Sequence, residues 1–448
     1  MMNLHQRGLV DACFEEGQYD EGIALLSQLK SQNVAPSPSH IRQLLYLSLY
    51  PPVMKKQPVD SNLSPSKIVK QQRPIAISHK TATSARTLLL QFAVTNHPDD
   101  LARALPSYST ADDNEREDSE SFIARKSSCI AMTKNCWNIL QRGFIRRAVT
   151  SSPTKKSSTV YEEDDDDDFA ISDVVAEHAW PILDFILILY ERDERETTAR
   201  GLPRYSPLLL DQIPASRSGK GARWEAEAPL SVILFAINQN NERLQSMGAR
   251  LTQLLINLCC TNLFEFTMFL NLVFNKIYAS APTTFLTLLA SLPPTIPLLK
   301  FRIALLHKFI CSNGQNPTTD TSLRPRVRAK PVPRARGEVN TVEGTSTSLA
   351  TPTLSQIALP SFTEICRVVE ELQPKSTETS YLWIQSQLLS SFGLYQSQLP
   401  AEARDEGWQK FLAAEDLPQQ LDKFFVNSQE EDAIFYKRIL NVALPVLA

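Results

Sequence analysis

Seven consecutive acidic residues form the densest group of candidate metal ligands in the chain, within the stretch YEEDDDDDF. A calcium-binding loop spaces its oxygen ligands along about twelve residues, with a glycine at the turn and a glutamate at the end. The run has neither that spacing nor the glycine. We therefore predict a solvated acidic tract that binds basic partners such as histones or a basic protein surface. The tract comprises Glu162, Glu163, Asp164, Asp165, Asp166, Asp167 and Asp168.

Other patterns that could support catalysis are incomplete. The stretch RSGKGAR lacks the earlier glycine and the Ser or Thr after Lys220 that a phosphate-binding loop needs, and no strand precedes it. The six histidines are scattered, with no H-E-x-x-H motif, and no G-x-S-x-G motif occurs. We interpret His178 and His307 as partly buried core or boundary residues. The sequence predicts a protein that is not an enzyme and has no metal site, cofactor or small-molecule substrate.

The seven cysteines contain no C-x-x-C pair, and most of them lie among apolar residues of predicted helices. This distribution favours reduced, buried thiols in an intracellular compartment over a disulfide framework or a zinc site.

Three residues lie in patterns that resemble kinase substrates. Ser64 and Ser152 each begin a Ser-Pro-x-Lys tetrapeptide, similar to the substrates of cyclin-dependent kinases. Thr159 precedes acidic residues and resembles an acidophilic kinase site. A phosphate adds about −1.5 to −2 charge at pH 7 and creates docking chemistry in a solvated segment. We therefore expect a nuclear or cell-cycle phosphoprotein.

A basic run alternates with prolines in the stretch RPRVRAKPVPRAR. Three interpretations stay open: a nuclear-import signal, a strap that binds phosphate groups, and a solubilising linker. The first two agree with a nuclear protein. The cations are Arg324, Arg326, Arg328, Lys330, Arg334 and Arg336.

The overall composition favours helices. The 448 residues include 13 glycines and 29 prolines, against typical usage of roughly 7% and 5%. The net charge of −3 provides no global basic field for nucleic acid, so we expect nucleic acid to bind only indirectly or through the basic run. The N-terminal stretch has no apolar run behind a basic start, so we expect no signal or transit peptide. The most apolar segment, 182–190, is shorter than the about 20 residues that span a bilayer, so we expect no membrane insertion.

Apolar residues recur at helical spacing along most of the chain. Glu177, Asp184 and Glu191 recur every seven residues and predict one solvent-facing stripe on a helix that is otherwise buried. The apolar residues from 129 to 145 recur at largely helical spacing, and Asn262 with Glu265 predicts a helix start. Further helices are predicted at 230–240, 242–260, 263–279, 283–292, 296–310, 362–372, 377–394, 402–413, 417–425 and 429–447.

These helices predict an all-α fold, an irregular helical bundle or a HEAT-like α-solenoid, with long disordered linkers. No fixed repeat period is present. The predicted organisation is an N-terminal helical hairpin (1–50), a linker (51–81), a helical segment (82–148), an acidic linker (149–172), a helical core (173–311), a basic Pro-rich linker (312–356) and a C-terminal helical segment (357–448).

The stretch LVDACFEEGQYDEGIALLSQLKSQNVAPSPS resembles the pentatricopeptide motif over residues 9–38, which is under a tenth of the chain. The resemblance implies one helical hairpin of a family whose tandem repeats read single-stranded RNA. Gly8 and Ser37 fall at the two base-reading positions of that family, and the next 35 or so residues show no second repeat. The matching residues are Leu9, Val10, Asp11, Cys13, Gly17, Asp20, Glu21, Leu25, Leu26, Leu29, Val34 and Pro36.

Together these patterns predict a non-enzymatic scaffold or adaptor subunit of a nuclear multi-protein complex. Chromatin or genome maintenance, including DNA repair, is the setting that the Ser-Pro-x-Lys sites, the acidic tract and the basic run favour. The alternative is an RNA-binding helical-repeat protein, which could be organellar. The predicted compartment is the nucleus, with the cytoplasm as the first alternative and the mitochondrion as the second.

Overall fold

The computed structural model of the chain contains only helices as regular elements in the part that it describes. This confirms the predicted all-α class, a helical bundle or solenoid. The described residues are 2–30, 34–52, 77–108, 121–145, 173–215, 225–312, 357–372, 379–413, 417–425 and 431–446.

The chain divides into two compact units, residues 1–258 and 259–448. This division falls at the end of one long helix, inside the range 173–311 that the sequence assigns to a single core. Among the described residues, unit 1 contains the helices α1 Leu4–Glu15, α2 Tyr19–Leu29, α3 Pro38–Leu49, α4 His79–Thr95, α5 Pro98–Ala102, α6 Phe122–Ala131, α7 Cys136–Ile139, α8 Trp180–Ala199, α9 Pro207–Leu210, α10 Glu227–Ile237 and α11 Glu242–Cys259, whose last residue begins unit 2.

The N-terminal hairpin forms because local signals start α1 and turn the chain into α2. Asn3 and Gln6 make reciprocal side-chain to backbone hydrogen bonds that cap α1. Gly17 has φ +75 in the turn, a conformation that strains residues with a Cβ. Gly22 lets the two helices approach closely, because a Cβ there would lie 2.5 Å from a ring carbon of Phe14.

Helix α3 is the centre of the N-terminal packing and is buried along most of its length. The Ser37 hydroxyl caps it by accepting a hydrogen bond from the His40 backbone, and Pro38 occupies its first turn. Helices α4 and α6 pack against it. Near its end, the Arg86 guanidinium donates to the Ser48 carbonyl at 2.9 Å and so ties α4 to α3.

The largely helical spacing over 129–145 does not correspond to one continuous helix. The structure has α6 and α7 there, and residues 132–135 separate them. Asn135 adopts an extended conformation, and its side chain caps α7 by accepting a hydrogen bond from the Asn138 backbone at 3.1 Å. Such a cap competes with continued helix, a competition that apolar spacing alone does not reveal.

In unit 2 the described helices are α12 Phe266–Tyr278, α13 Pro282–Ser291, α14 Ile296–Ser312, α15 Phe362–Leu372, α16 Thr379–Ser397, α17 Glu406–Ala413, α18 Leu417–Phe424 and α19 Glu431–Val446. Helix α16 packs against α14 and also against α19. The predicted helices of this region agree with these bounds to within a few residues.

The predicted helix start at Asn262 is wrong, because α12 begins at Phe266. Glu265 occupies the cap position, but its side chain bonds to the Thr267 hydroxyl at 2.8 Å and not to the helix backbone.

Candidate protein-interaction surface

The residues that the sequence predicts to be phosphorylated or to form the acidic tract and the basic run lie outside the described part of the chain. This holds for the kinase-type sites Ser64, Ser152 and Thr159, for the acidic tract 162–168 and for the cations between 324 and 336. The structure therefore does not test these predictions, and its own candidate site is elsewhere.

Helix α19 is apolar on two opposite sides. On the inner side, Ala433, Leu440 and Leu444 are fully buried, and α19 packs there against α16 and α18. The Lys437 ammonium reinforces this packing, because it lies 2.9 Å from the Asp422 carboxylate on α18. The inner side alone thus accounts for the attachment of α19 to unit 2.

The outer side of α19 carries a second set of large apolar side chains, which we call the α19 stripe. It consists of Phe435, Ile439, Val442 and Val446, which are 57%, 44%, 73% and 83% exposed. Their spacing of four, three and four residues places them along one line of the helix surface. Ile434, beside the stripe, is 45% exposed. Contiguous exposed apolar surface is a feature that protein-interaction sites share, whereas single exposed apolar residues are common on protein surfaces, so the α19 stripe is a candidate interaction surface.

Polar groups border the α19 stripe without interrupting it. Glu431 and Asp432 lie exposed in the first turn, where negative charge is favourable beside the helix N-terminus. Arg438 is exposed beside the middle of the stripe. Burial, and then the charge of Asp432, raises the pKa of Tyr436, so this phenol stays neutral at physiological pH. The α19 stripe is therefore complementary to a partner helix that has an apolar face with polar residues at its margins.

A cluster of aromatic rings fixes the platform below α19. Trp408 of α17 lies 5.1 Å from the ring of Phe362 of α15 and 5.6 Å from that of Phe392 of α16. Phe411 connects this cluster to Phe424 of α18, with their centroids 6.0 Å apart. Rings at these separations contribute beyond their buried area, so α18 and α16 present a defined surface to α19.

In unit 1, the predicted solvent-facing stripe is wrong for two of its three members. Asp184 and Glu191 of α8 face α11, where Arg250 donates to Asp184 Oδ1 at 2.6 Å and to both oxygens of Glu191 at 2.6 and 3.0 Å. Arg243, seven residues earlier, donates to Asp184 at 3.3 Å. Glu177 is exposed, but it lies in a short 3-10 turn before α8 and not on that helix. A seven-residue charge period marks one face of a helix, but it does not tell whether water or a matching arginine period covers that face.

Two adjacent buried carboxylates hold the loop that follows α8. Asp193 accepts hydrogen bonds from the Ser206 hydroxyl at 2.6 Å and the Leu208 backbone at 2.9 Å. Glu194 accepts from Arg204 at 3.0 Å and from Asn257 at 2.6 Å. Burial raises the pKa of Asp193 to about 6, although its two hydrogen bonds act in the opposite direction. Every one of these partners belongs to the loop, to α9 or to α11, so the hydrogen bonds of the two carboxylates hold the loop in position.

On α14, the His307 ring and the Cys311 thiol lie one helical turn apart, with Nε2 3.8 Å from Sγ. His40, which the sequence does not single out, is buried and lies 2.9 Å from the Asp11 carboxylate. His178 and His307 are half-buried. No group of three or more His, Cys, Asp or Glu side chains in the described ranges could hold a metal ion. No described helix is long and apolar enough to cross a bilayer.

All seven cysteines are free thiols, but the prediction that they are buried is only partly right. Cys136 and Cys259 are buried and Cys311 is exposed, while the other four are intermediate. Burial raises the pKa of Cys136 and of Cys366 to about 12, so both remain protonated thiols at physiological pH. Such thiols are poor nucleophiles.

No protein-family model matches the chain, and no curated protein or solved structure is significantly similar to it. The sequence analysis does not predict the α19 stripe, because apolar residues at helical spacing are assigned to one buried face of the helix and a second apolar face is then not recognised. The signal was nevertheless present: residues 433, 440 and 444 and residues 435, 439, 442 and 446 form two separate apolar lines on one helical wheel.

Proposed function

We propose that the chain is a non-enzymatic helical scaffold or adaptor that binds protein partners, and that the α19 stripe is a principal contact surface. The observation that carries this proposal is the exposure of four aligned apolar side chains on a helix whose opposite side is anchored by Leu440 and Leu444. Burial of apolar surface stabilises a complex by about 25 cal/mol per Å². A partner that covers the α19 stripe is therefore bound more tightly.

The composition of the α19 stripe supports this role. Phe435 is an aromatic side chain at the N-terminal end of the apolar line, and aromatic side chains are enriched among the residues that dominate binding energy at protein interfaces. Arg438 and Asp432 at the margins supply polar contacts of the kind that surround an interface core. Because α19 is already folded against α16 and α18, a partner does not need to order it on binding.

The proposed setting is a nuclear complex, in chromatin or genome maintenance. This part of the proposal is supported by the sequence: the two Ser-Pro-x-Lys sites at Ser64 and Ser152, the acidic tract 162–168 and the basic run 324–336. Phosphate groups at the first two sites would add docking charges, and the tract would engage basic partners.

Affinity purification of the full chain from cells, followed by quantitative mass spectrometry, tests this proposal. Val442→Glu places a charge in the α19 stripe, and Val94→Glu is the matched control, because Val94 is 65% exposed on α4 of unit 1. We expect Val442→Glu to deplete a defined set of proteins that Val94→Glu retains. Identical protein sets for both variants would contradict the proposal. Recovery of RNA and RNA-processing factors as the main co-purifying material would favour the RNA-binding alternative.

A further inference from the structure

The contact between His307 and Cys311 on α14 has no part in the proposed function. The imidazole Nε2 lies 3.8 Å from the thiol Sγ, within hydrogen-bond reach of a sulfur atom. The structure describes all seven cysteines, and only Cys311 is exposed. We propose that Cys311 is a nucleophilic thiol that reacts with a small disulfide to form a mixed disulfide, with His307 as its base.

His307 has the protonation state that a base requires. Burial lowers its pKa from the ordinary value of 6.5, so the ring is neutral at physiological pH and can accept the thiol proton. The negative charge of Glu364, in the first turn of α15, acts on this pKa in the opposite direction. Glu364 therefore stabilises the imidazolium that forms when the proton moves.

The other groups on the helices around α14 are compatible with a thiolate at Cys311. On α16, the Tyr381 hydroxyl is buried and makes no hydrogen bond among the described residues. Burial raises the pKa of Tyr381 to about 12, and the nearby Cys311 acts in the same direction. This phenol is therefore neutral and does not repel a thiolate. The Lys308 ammonium of α14 donates to Asn271 of α12 at 2.6 Å, so it already has a partner.

The exchange balances without a further reagent. The Cys311 thiol passes its proton to His307, and the thiolate attacks one sulfur of the small disulfide. A bond forms between the Cys311 Sγ and that sulfur while the original disulfide bond breaks. The departing thiolate takes the proton from the imidazolium and leaves as a thiol. Cys311 is thus oxidised, the small disulfide is reduced, and His307 is neutral again.

The surroundings of Cys311 favour a small disulfide over a second cysteine of the same chain. No two of the seven cysteines are joined, and Cys136 and Cys259 are buried. Burial raises the pKa of Cys366, on α15, to about 12, so this thiol is a poor attacking group. An adduct on Cys311 does not need to enter the core, because the thiol is exposed near the end of α14.

Reaction of the full chain with dithiodipyridine, a small disulfide that releases a coloured product, tests the inference. We expect one thiol to react faster than the others, and we expect Cys311→Ser to remove this fast phase. His307→Gln should slow the fast phase about tenfold at neutral pH and move its pH profile to higher pH, because the thiol then ionises without a base. His79→Gln is the matched control, since His79 is exposed on α4, and it should react as the wild type does.

Two results would overturn the inference. One is a fast phase that survives Cys311→Ser, or the absence of any fast phase. The other is a fast phase whose rate and pH profile His307→Gln leaves unchanged. Circular dichroism verifies that the variants remain helical. Glu364→Gln provides a second test at an exposed position, and we expect it to slow the fast phase about twofold.

Mass spectrometry tests the class of ligand. Oxidised glutathione, a peptide disulfide, should add one glutathionyl group to the full chain at Cys311, and dithiothreitol should remove it. Modification of Cys311 by hydrogen peroxide but not by oxidised glutathione would contradict the assignment to a disulfide. The inference depends on α14 and its neighbours and is independent of the α19 stripe.

Discussion

The Arg250 guanidinium donates a 2.6 Å hydrogen bond to the Asp184 carboxylate and thereby joins α11 to α8. Arg250 also contacts Glu191 with two further hydrogen bonds, so one guanidinium satisfies two carboxylates in a partly buried position. Charge-assisted bidentate contacts of this kind are stronger than single surface ion pairs.

Replacement of Arg250 by alanine should destabilise unit 1 by about 1–3 kcal/mol, because Asp184 and Glu191 would lose their main partner. Arg243→Ala is the control, since Arg243 is largely exposed and its single 3.3 Å contact is worth about 1 kcal/mol or less. Urea unfolding monitored by circular dichroism measures both values. If both variants lost the same free energy of unfolding, the Arg250 network would contribute no more to stability than a surface ion pair does.

Asp193 predicts a pH-dependent contribution to stability. Its pKa is about 6 in the folded protein and 3.8 without burial, so the native state holds this proton more tightly than the unfolded state does. The stabilisation is therefore fully present below about pH 4 and is lost as the pH rises through about 6. Between these limits, the free energy of unfolding of the wild type relative to Asp193→Asn should fall by about 1–3 kcal/mol.

Denaturant unfolding at several pH values measures this difference. Ser206→Ala removes a hydrogen bond that lowers the pKa of Asp193, so it should move the transition to higher pH. A difference between wild type and Asp193→Asn that does not change with pH would contradict the assignment.

Two glycines of the N-terminal hairpin should respond oppositely to alanine. Gly17→Ala should destabilise the hairpin by about 1 kcal/mol, because its φ of +75 is unfavourable for a residue with a Cβ. Gly8→Ala should stabilise α1 by about 0.5–1 kcal/mol, since Gly8 is inside the helix and a Cβ there meets no atom within 4 Å. Hydrogen exchange of peptides from α1 and α2 reports both changes. Faster exchange in both variants would contradict this explanation.

The fold was more predictable than the surface. Helices such as α11 and α14 combine strong apolar periodicity with short links, and their predicted bounds lie within about two residues of the observed ones. Local capping was harder to predict: Asn135 interrupts a regular apolar pattern, and Asn262 does not start the helix that its spacing suggests. Capping depends on backbone angles, which residue types only bias.

What covers each helix face was the least predictable feature. Asp184 and Glu191 look solvent-facing in the sequence, because the pairing arginines lie about sixty residues further along the chain. Conversely, Phe435 and Val442 look like core residues by type, yet they are exposed. Both features have the same cause: periodicity defines a face, whereas tertiary packing decides its neighbour.

The basic run predicts a localisation phenotype. Replacement of its six cations, Arg324 to Arg336, by alanine should reduce nuclear accumulation of the tagged full chain if the run is an import signal. Replacement of its five arginines by lysine preserves the charge and is the control. The nuclear-to-cytoplasmic fluorescence ratio measures the effect. An unchanged ratio in the alanine variant would leave the run as a phosphate-binding strap or a linker.

Site-specific photo-crosslinking from α19 tests the central claim most directly. A benzoylphenylalanine at Ile439 lies in the middle of the α19 stripe, and the same group at Val94 reports background contacts of an exposed apolar position. We predict discrete crosslinked species from Ile439 in cells, to a second copy of the chain or to another protein, which Val442→Glu abolishes. A pattern from Ile439 that matches the pattern from Val94, or one that Val442→Glu leaves intact, would contradict the claim that the α19 stripe is an interaction surface.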